Sequence, residues 1–297
     1  KTRVIKSTRG NIYDRNGTVV ASNVLAYSVT FEDSGTYNST REKNLALNGI
    51  AYQVLQILSK NGDSLADNFH IIVNDHGDYA FDVEEGFTLN RFRADVYGEA
   101  QIDNLSDEQK NATAAQMMDY LTGSNGFSIV LYGKDAYTDE ELAAHSLPKE
   151  LTKQEILEIA IMRYQLNTNS FKKYMPVTIA TNVSEKSVAA IKENQSALQG
   201  IDIVEDSTRQ YVEDESMAPI LGYTGQASSE ELETLRKDNP DYSNDAIVGK
   251  AGIEQYMELQ LQGKDGEESV TVDNLGKVLD IDNSKTVEPI AGNDVYL

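Results

Sequence analysis

The chain has 297 residues, 40% of them apolar, no cysteine, and a net charge of −22 from 48 acidic and 26 basic side chains. That length and apolar content suffice for one large or two medium domains with a real core, while the acidic field repels phosphate backbones and sets nucleic acid aside as a partner. Disulfides, thiolate catalysis and cysteine metal sites are excluded, and no stretch approaches the roughly 18 to 20 apolar residues of a membrane-spanning helix or the pattern of a secretory signal.

The first thirty residues read as strands, with branched and aromatic side chains at Val4-Ile5, Val19-Val20 and Tyr27 to Phe31. Between the first two runs, Asp14-Arg15-Asn16-Gly17 offers the Asn-Gly pair that accepts positive φ, so the segment reads as strand, hairpin turn, strand. The period then becomes helical: Leu45, Leu47, Ile50, Ala51, Val54, Leu55 and Leu58 form one stripe that stops at Asn61-Gly62. A second hairpin is expected from Phe69 to Val73 and Tyr79 to Val83. Capping boxes at Ser106 with Gln109, Thr138 with Glu141, Thr152 with Glu155 and Ser228 with Glu231 announce further helices.

Strand character returns at Val177 to Ala180, Ile201 to Val204, Ser269 to Val272 and Lys277 to Ile281. A helix is expected from about Lys250 to Leu261, with Ile253, Tyr256, Met257 and Leu261 on one side. The simplest assembly is an α+β fold in which the chain ends, 1–32 and 200–297, pair into a strand-rich pedestal. Residues 33–199 project from it as a helix-rich inserted head.

Three blocks carry the functional argument: Arg9-Gly10-Asn11-Ile12-Tyr13-Asp14-Arg15-Asn16-Gly17; Arg209-Gln210-Tyr211 leading to Leu221-Gly222-Tyr223; and Gly249-Lys250-Ala251-Gly252-Ile253-Glu254. A helix opening on Gly249 and Gly252 can press its first turn against neighbouring backbone, since neither residue carries a Cβ. Glu254 then sits at the positive helix end, where it can accept from an arginine. The expectation is one partly buried ionic cluster of Arg9, Asp14, Arg209 and Glu254, with Arg15 also available as a partner, tying the first hairpin to the C-terminal part. Breaking a buried pair costs about 3 to 5 kcal/mol, against about 0 to 1 for an exposed one.

In this order the blocks resemble the N-terminal module of class B penicillin-binding proteins, and the middle segment resembles the elongation-type (penicillin-binding protein 2) branch of Gram-positive bacteria. The resemblance spans nearly the whole chain and includes Ser170-Phe171-Lys172-Lys173-Tyr174 and Val177 to Ala180. Val212 departs from it, standing where relatives usually carry proline. The resemblance implies a non-catalytic pedestal or dimerisation module outside the cell membrane, anchored by an N-terminal helix that lies before residue 1. It also implies a C-terminal transpeptidase domain beyond this segment, a polytopic glycosyltransferase as partner, and self-association. The parent would cross-link stem peptides and bind penicillin. Residues 1 to 15, with Lys1, Arg3, Lys6, Arg9 and Arg15 against Asp14 alone, would suit the stem nearest an anionic membrane.

Little points to chemistry within the segment itself. Serine transferases of this type need a serine and a lysine one helical turn apart, then Ser-X-Asn and Lys-Thr/Ser-Gly elements. Ser146-Leu147-Pro148-Lys149 has the Ser-X-X-Lys pattern but holds a proline, and Lys285-Thr286-Val287 has valine where glycine is needed. His70 and His76 lie near Asp75 and Asp78, and Asp280, Asp282 and Asn283 lack a calcium-loop glycine and terminal glutamate, so neither a metal nor a cofactor is expected. Two other readings stand beside the pedestal: a small serine acyl-transferase using Ser146 and Lys149, and a secreted module binding wall polymer.

Overall fold

The computed structural model describes residues 2–66, 69–168, 176–212, 216–242, 246–272 and 278–297. It is a mixed α+β structure whose chain divides into two compact units. A terminal unit takes Lys1–Ala26 with Glu205–Leu297, and a central unit takes Tyr27–Val204. The chain passes from one unit to the other inside strands, at 26/27 and 204/205.

The terminal unit opens with β1 (Thr2–Ile5), β2 (Ile12–Tyr13) and the start of β3 (Val19–Phe31). Ile12 pairs with Ala21 and Tyr13 with Val19 across a turn in which the Gly17 N–H donates to the Asp14 carbonyl at 2.9 Å, with Gly17 at φ +81. The hairpin partner of β3 is therefore Ile12–Tyr13. The expected Val4-Ile5 run pairs elsewhere, because it lies too far from the turn to face Val19 in register.

The rest of β3 enters the central unit and leads to α1 (Thr40–Asn61), the hairpin β4 (Ile71–Val73) and β5 (Tyr79–Phe81), α2 (Phe87–Tyr97), α3 (Asp107–Lys110), α4 (Ala114–Thr122), α5 (Asp139–Ala144), α6 (Lys153–Thr168), β6 (Val177–Ala180), α7 (Glu185–Glu193) and the first residues of β7 (Ile201–Tyr211). Helix α1 starts because the Ser39 side chain accepts from the Glu42 N–H, and it stops at Gly62, left-handed at φ +81 with its N–H returned to the last turn. Its buried stripe of Leu47, Ala51, Val54 and Leu58 meets Ile159 and Met162 of α6, Ile179 of β6 and Ile191 of α7. Capping boxes form at Ser106, Thr138, Thr152 and Ser228, and a further one at Thr113 with Gln116 starts α4. The Ser170 to Tyr174 stretch lies outside the described residues.

Returning to the terminal unit, the chain forms the rest of β7, then α8 (Ala218–Leu221), β8 (Thr224–Gln226), α9 (Ser229–Leu235), β9 (Ile247–Gly249), α10 (Gly252–Tyr256), α11 (Glu258–Leu261), β10 (Gly266–Val272), β11 (Val278–Val287) and β12 (Val295–Tyr296). Strand β1 pairs antiparallel with β10, which pairs antiparallel with β11, while β12 runs parallel to β2. Both chain ends thus share sheets. Ile12, Val20, Ala21, Leu221, Leu261 and Val295 form the core of this unit, with a satellite of Leu232, Tyr242, Ala246 and Val248.

The expected helix from Lys250 to Leu261 is two short ones meeting at Met257, and Gly249 belongs to β9. The backbone there is already committed: the Lys250 N–H donates to the Tyr223 carbonyl and the Gly249 N–H to Glu258, so a helix cannot begin before Gly252. The break at Met257 also leaves Tyr256 83% exposed, off the stripe on which it was expected. Among the described residues, no helix is long and apolar enough to cross a membrane.

Candidate functional site

Inside the terminal unit, Glu254 in the first turn of α10 has no exposed surface and is gripped by two arginines. Arg9 Nε donates to Glu254 Oε2 at 2.6 Å and its Nη2 to the Glu254 carbonyl at 2.9 Å, while Arg209 Nε donates to Oε1 at 2.7 Å. Arg209 Nη1 also donates to the Gly10 carbonyl at 2.8 Å, and Asn23 donates to the carbonyl of Arg9. The carboxylate therefore has both oxygens satisfied by charge-assisted bonds from residues far apart in sequence.

A second acid completes the group. Glu258, one helical turn on, lies 2.8 Å from Arg9 Nη2, accepts from the Gly249 N–H at 2.8 Å, and accepts from the Tyr242 hydroxyl at 2.9 Å. Two buried guanidinium groups thus face two buried carboxylates, which balances the charge where water cannot screen it. Burial works against the charged Arg9 guanidinium, but attraction to Glu258 and then to Glu254 outweighs it and holds its pKa above the ordinary value. Burial, followed by the charge of Glu258, pushes the Tyr242 hydroxyl upward.

Close backbone contact brings these side chains together. A Cβ on Gly249 would lie 2.1 Å from the Glu254 backbone, and one on Gly10 would lie 2.0 Å from the Asn293 carbonyl oxygen. Gly222 and Gly252 sit back to back in the same crossing, Gly222 against the Ala251 carbonyl and Gly252 against that of Ile220. Tyr211 is half-buried beside them, and Tyr223 is 59% exposed with its carbonyl taken by Lys250.

Asp14 does not join the cluster. Its carboxylate turns back on its own loop and accepts from the Asn16 and Thr18 N–H groups at 2.8 Å each, bonds that lower its pKa. The same Asn-Gly turn that sequence identified explains this, because an Asx turn uses the carboxylate locally. Arg15, Asn16 and Gly17 are exposed at the hairpin tip. Glu258, Tyr242, Asn23 and Gln262, which accepts from Arg9 Nη1 at 3.2 Å, were not anticipated. Only the four-residue spacing of Glu254 and Glu258 hinted at a shared face.

The exit segment is fastened to the entry segment. Gly292 donates to Thr8 O, Asn293 to Gln260 O, Val295 to Asn11 O and Leu297 to Tyr13 O, while the Asn11 N–H donates to the Asp294 carboxylate at 2.7 Å. The rings of Tyr13 and Tyr296 stack at 4.9 Å.

In the central unit, Ser146 adopts φ +58 in the turn after α5, off any helix, and Lys149 pairs with Asp139. No helical register presents the lysine to the serine. His70 pairs with Asp82 at 3.0 Å and Asp78 with Lys153 at 3.1 Å, so His70 and Asp78 serve separate pairs.

Comparison with known proteins gives this architecture a family. The model of the penicillin-binding protein dimerisation domain matches residues 4–297. The peptidoglycan D,D-transpeptidase MrdA of Salmonella typhimurium is 33% identical over 142 residues, covering 47% of this chain and 22% of that protein. The Escherichia coli protein of that name is 32% identical over 127 residues, 42% of this chain and 20% of that protein. The structure of penicillin-binding protein 2B from Streptococcus pneumoniae is similar over all of this chain and 40% of its own, with a TM-score of 0.56 and 20% identity. The chain spans well under half the length of these relatives. It belongs to the penicillin-binding protein dimerisation-domain family, homologous to the N-terminal module of MrdA-like peptidoglycan transpeptidases.

Proposed function

We propose that this chain is the non-catalytic pedestal of a membrane-anchored peptidoglycan transpeptidase acting in cell elongation on the outer face of the membrane. In this reading residues 1–32 and 200–297 are the pedestal and residues 33–199 the head. The carrying observation is the fastening of residues 292–297 to residues 8–13, backed by the Arg9, Arg209 and Glu254 cluster. A catalytic domain following such an exit strand would be held at a fixed orientation to an anchor preceding the entry strand, because parallel pairing and buried ion pairs leave no hinge between them. In this reading the partners are that transpeptidase domain, the polytopic glycosyltransferase of the elongation machinery, and a second pedestal.

Two measurements test this. Incubation with excess benzylpenicillin should leave the intact mass of this chain unchanged, and a stoichiometric penicilloyl adduct would instead establish an activated serine within it. Detergent-solubilised elongation glycosyltransferase should co-purify with the chain, and retention no greater than with an unrelated acidic protein would remove the partner assignment.

A further inference from the structure

Helix α6 buries Leu157, Ile159, Ala160, Ile161 and Met162 on more than one of its faces, and the arginine that follows is enclosed with them. Arg163 is 5% exposed, a depth at which arginine is ordinarily paired with a carboxylate. Among the described residues no carboxylate lies within ion-pair distance of it, and its bonds go to neutral groups of α1. Nη1 donates to Asn48 Oδ1 and, at 3.4 Å, to the Asn44 carbonyl, while Nη2 donates to Asn44 Oδ1 at 2.8 Å. Nε takes part in none of these bonds and Nη2 in one, so donors remain. The guanidinium carbon also stands 5.0 Å from the centre of the Phe127 ring.

Asp33 favours the charged form from a distance, but its carboxylate is engaged by Lys43 at 2.5 Å. Burial outweighs that attraction and pushes the Arg163 pKa down to about 10. At neutral pH the side chain is therefore a buried cation held by amides.

Arg163 also forms part of the wall of a cavity of about 420 Å³ inside the central unit, between the first half of α1, the ends of α4 and α6 and the segment after β3. That volume lies within the roughly 300 to 1,000 Å³ of small-ligand clefts. Leu47, Val96, Leu121 and Phe127 give the wall an apolar part, and Glu32 and Asp33 line it from the segment after β3.

We propose that this cavity binds a small monocarboxylate with an apolar body, its carboxylate accepting from Arg163 and its body lying on Leu47, Leu121 and Phe127. A guanidinium matches a carboxylate in geometry as well as charge, and exclusion of water strengthens the pair. The acids at Glu32 and Asp33 set the limit on charge, since a second carboxylate on the ligand would meet its own sign there. The proposal is independent of the pedestal reading.

The test titrates phenylacetate, phenylacetamide and phenylmalonate into the chain by isothermal calorimetry and locates the site by hydrogen exchange. Phenylacetate should bind once per chain and slow exchange in residues 120–127 and 160–167, while the uncharged amide and the dianion should each bind at least tenfold more weakly. Arg163→Met should weaken phenylacetate at least tenfold. Because that change also takes a donor from Asn44 and Asn48, Asn125→Trp supplies a second variant. Asn125 is exposed on the cavity wall, so this variant should melt as the parent does and weaken phenylacetate at least tenfold by filling its space. No binding of phenylacetate at millimolar concentration would overturn the proposal. So would an amide or a dianion bound as tightly as the acid, protection confined to other segments, or parental affinity in Asn125→Trp.

Discussion

Arg9 and Glu254, separated by 245 positions in the chain, are joined by a 2.6 Å bond from Nε to Oε2 in a site where the carboxylate has no exposed surface and the arginine side chain only 9%. The pair closes that long loop with ions, whose hydrogen bonds specify orientation more sharply than apolar contact. Removing either partner strands a charge without water, the costly case for buried pairs.

Glu254→Ala and Arg209→Ala should each lower unfolding free energy by about 3 to 5 kcal/mol. The double variant should cost clearly less than the sum, because each single change takes from the other side chain its buried partner. Urea unfolding of the four proteins in a cycle measures this, and additivity would show that the two side chains do not depend on one another.

Val212→Pro should destabilise the terminal unit by about 1 to 3 kcal/mol, since proline lacks the donor and the Val20 carbonyl would lose its partner. Here the Val212 N–H donates to that carbonyl at 3.0 Å. Val212→Ala keeps the bond and should stay within about 0.5 kcal/mol of the parent, the side chain being 44% exposed. A shift in melting temperature for proline alone checks the assignment.

Gly249→Ala should cost about 3 kcal/mol or more, because its Cβ would lie 2.1 Å from the Glu254 backbone, and the backbone carrying the ion cluster would have to move. Gly86→Ala, where a Cβ meets nothing within 4 Å, is the matched control. Calorimetric melting should separate the two, and equal melting points would refute close packing at Gly249.

Alkaline pH should weaken the central unit. Burial, then the charges of Asp119 and Asp95 respectively, push the hydroxyls of Tyr79 and Tyr164 up to about 12. Unfolded tyrosine titrates near 10, so the folded state gains full advantage below about pH 10 and loses it progressively as pH rises toward about 12. Denaturation midpoints should therefore fall across that interval. The Tyr79→Phe, Tyr164→Phe variant should flatten the decline, and an unchanged slope would locate the sensitivity elsewhere.

Local physics was legible in the residues themselves. The Asn16-Gly17 turn, the stripe of α1 and its stop at Gly62, the hydroxyl caps at Ser106, Thr138, Thr152 and Ser228, and the strands of both chain ends all follow from near-neighbour chemistry acting within a few residues. The three glycine-bearing blocks likewise pointed to Arg9, Arg209 and Glu254. What sequence could not decide was competition between partners. Asp14 had an arginine beside it in the chain, yet the nearer N–H groups of Asn16 and Thr18 claimed it; Gly249 could have opened a helix, yet its N–H went to Glu258 and its neighbour's to Tyr223. Glu258 and Tyr242 entered the cluster only because α11 and the stretch that follows α9 to Tyr242 meet at the same point. Spacing fixes which groups are available, but a buried hydrogen bond goes to whichever donor the tertiary fold brings within about 3 Å, and that distance is set by the whole chain at once.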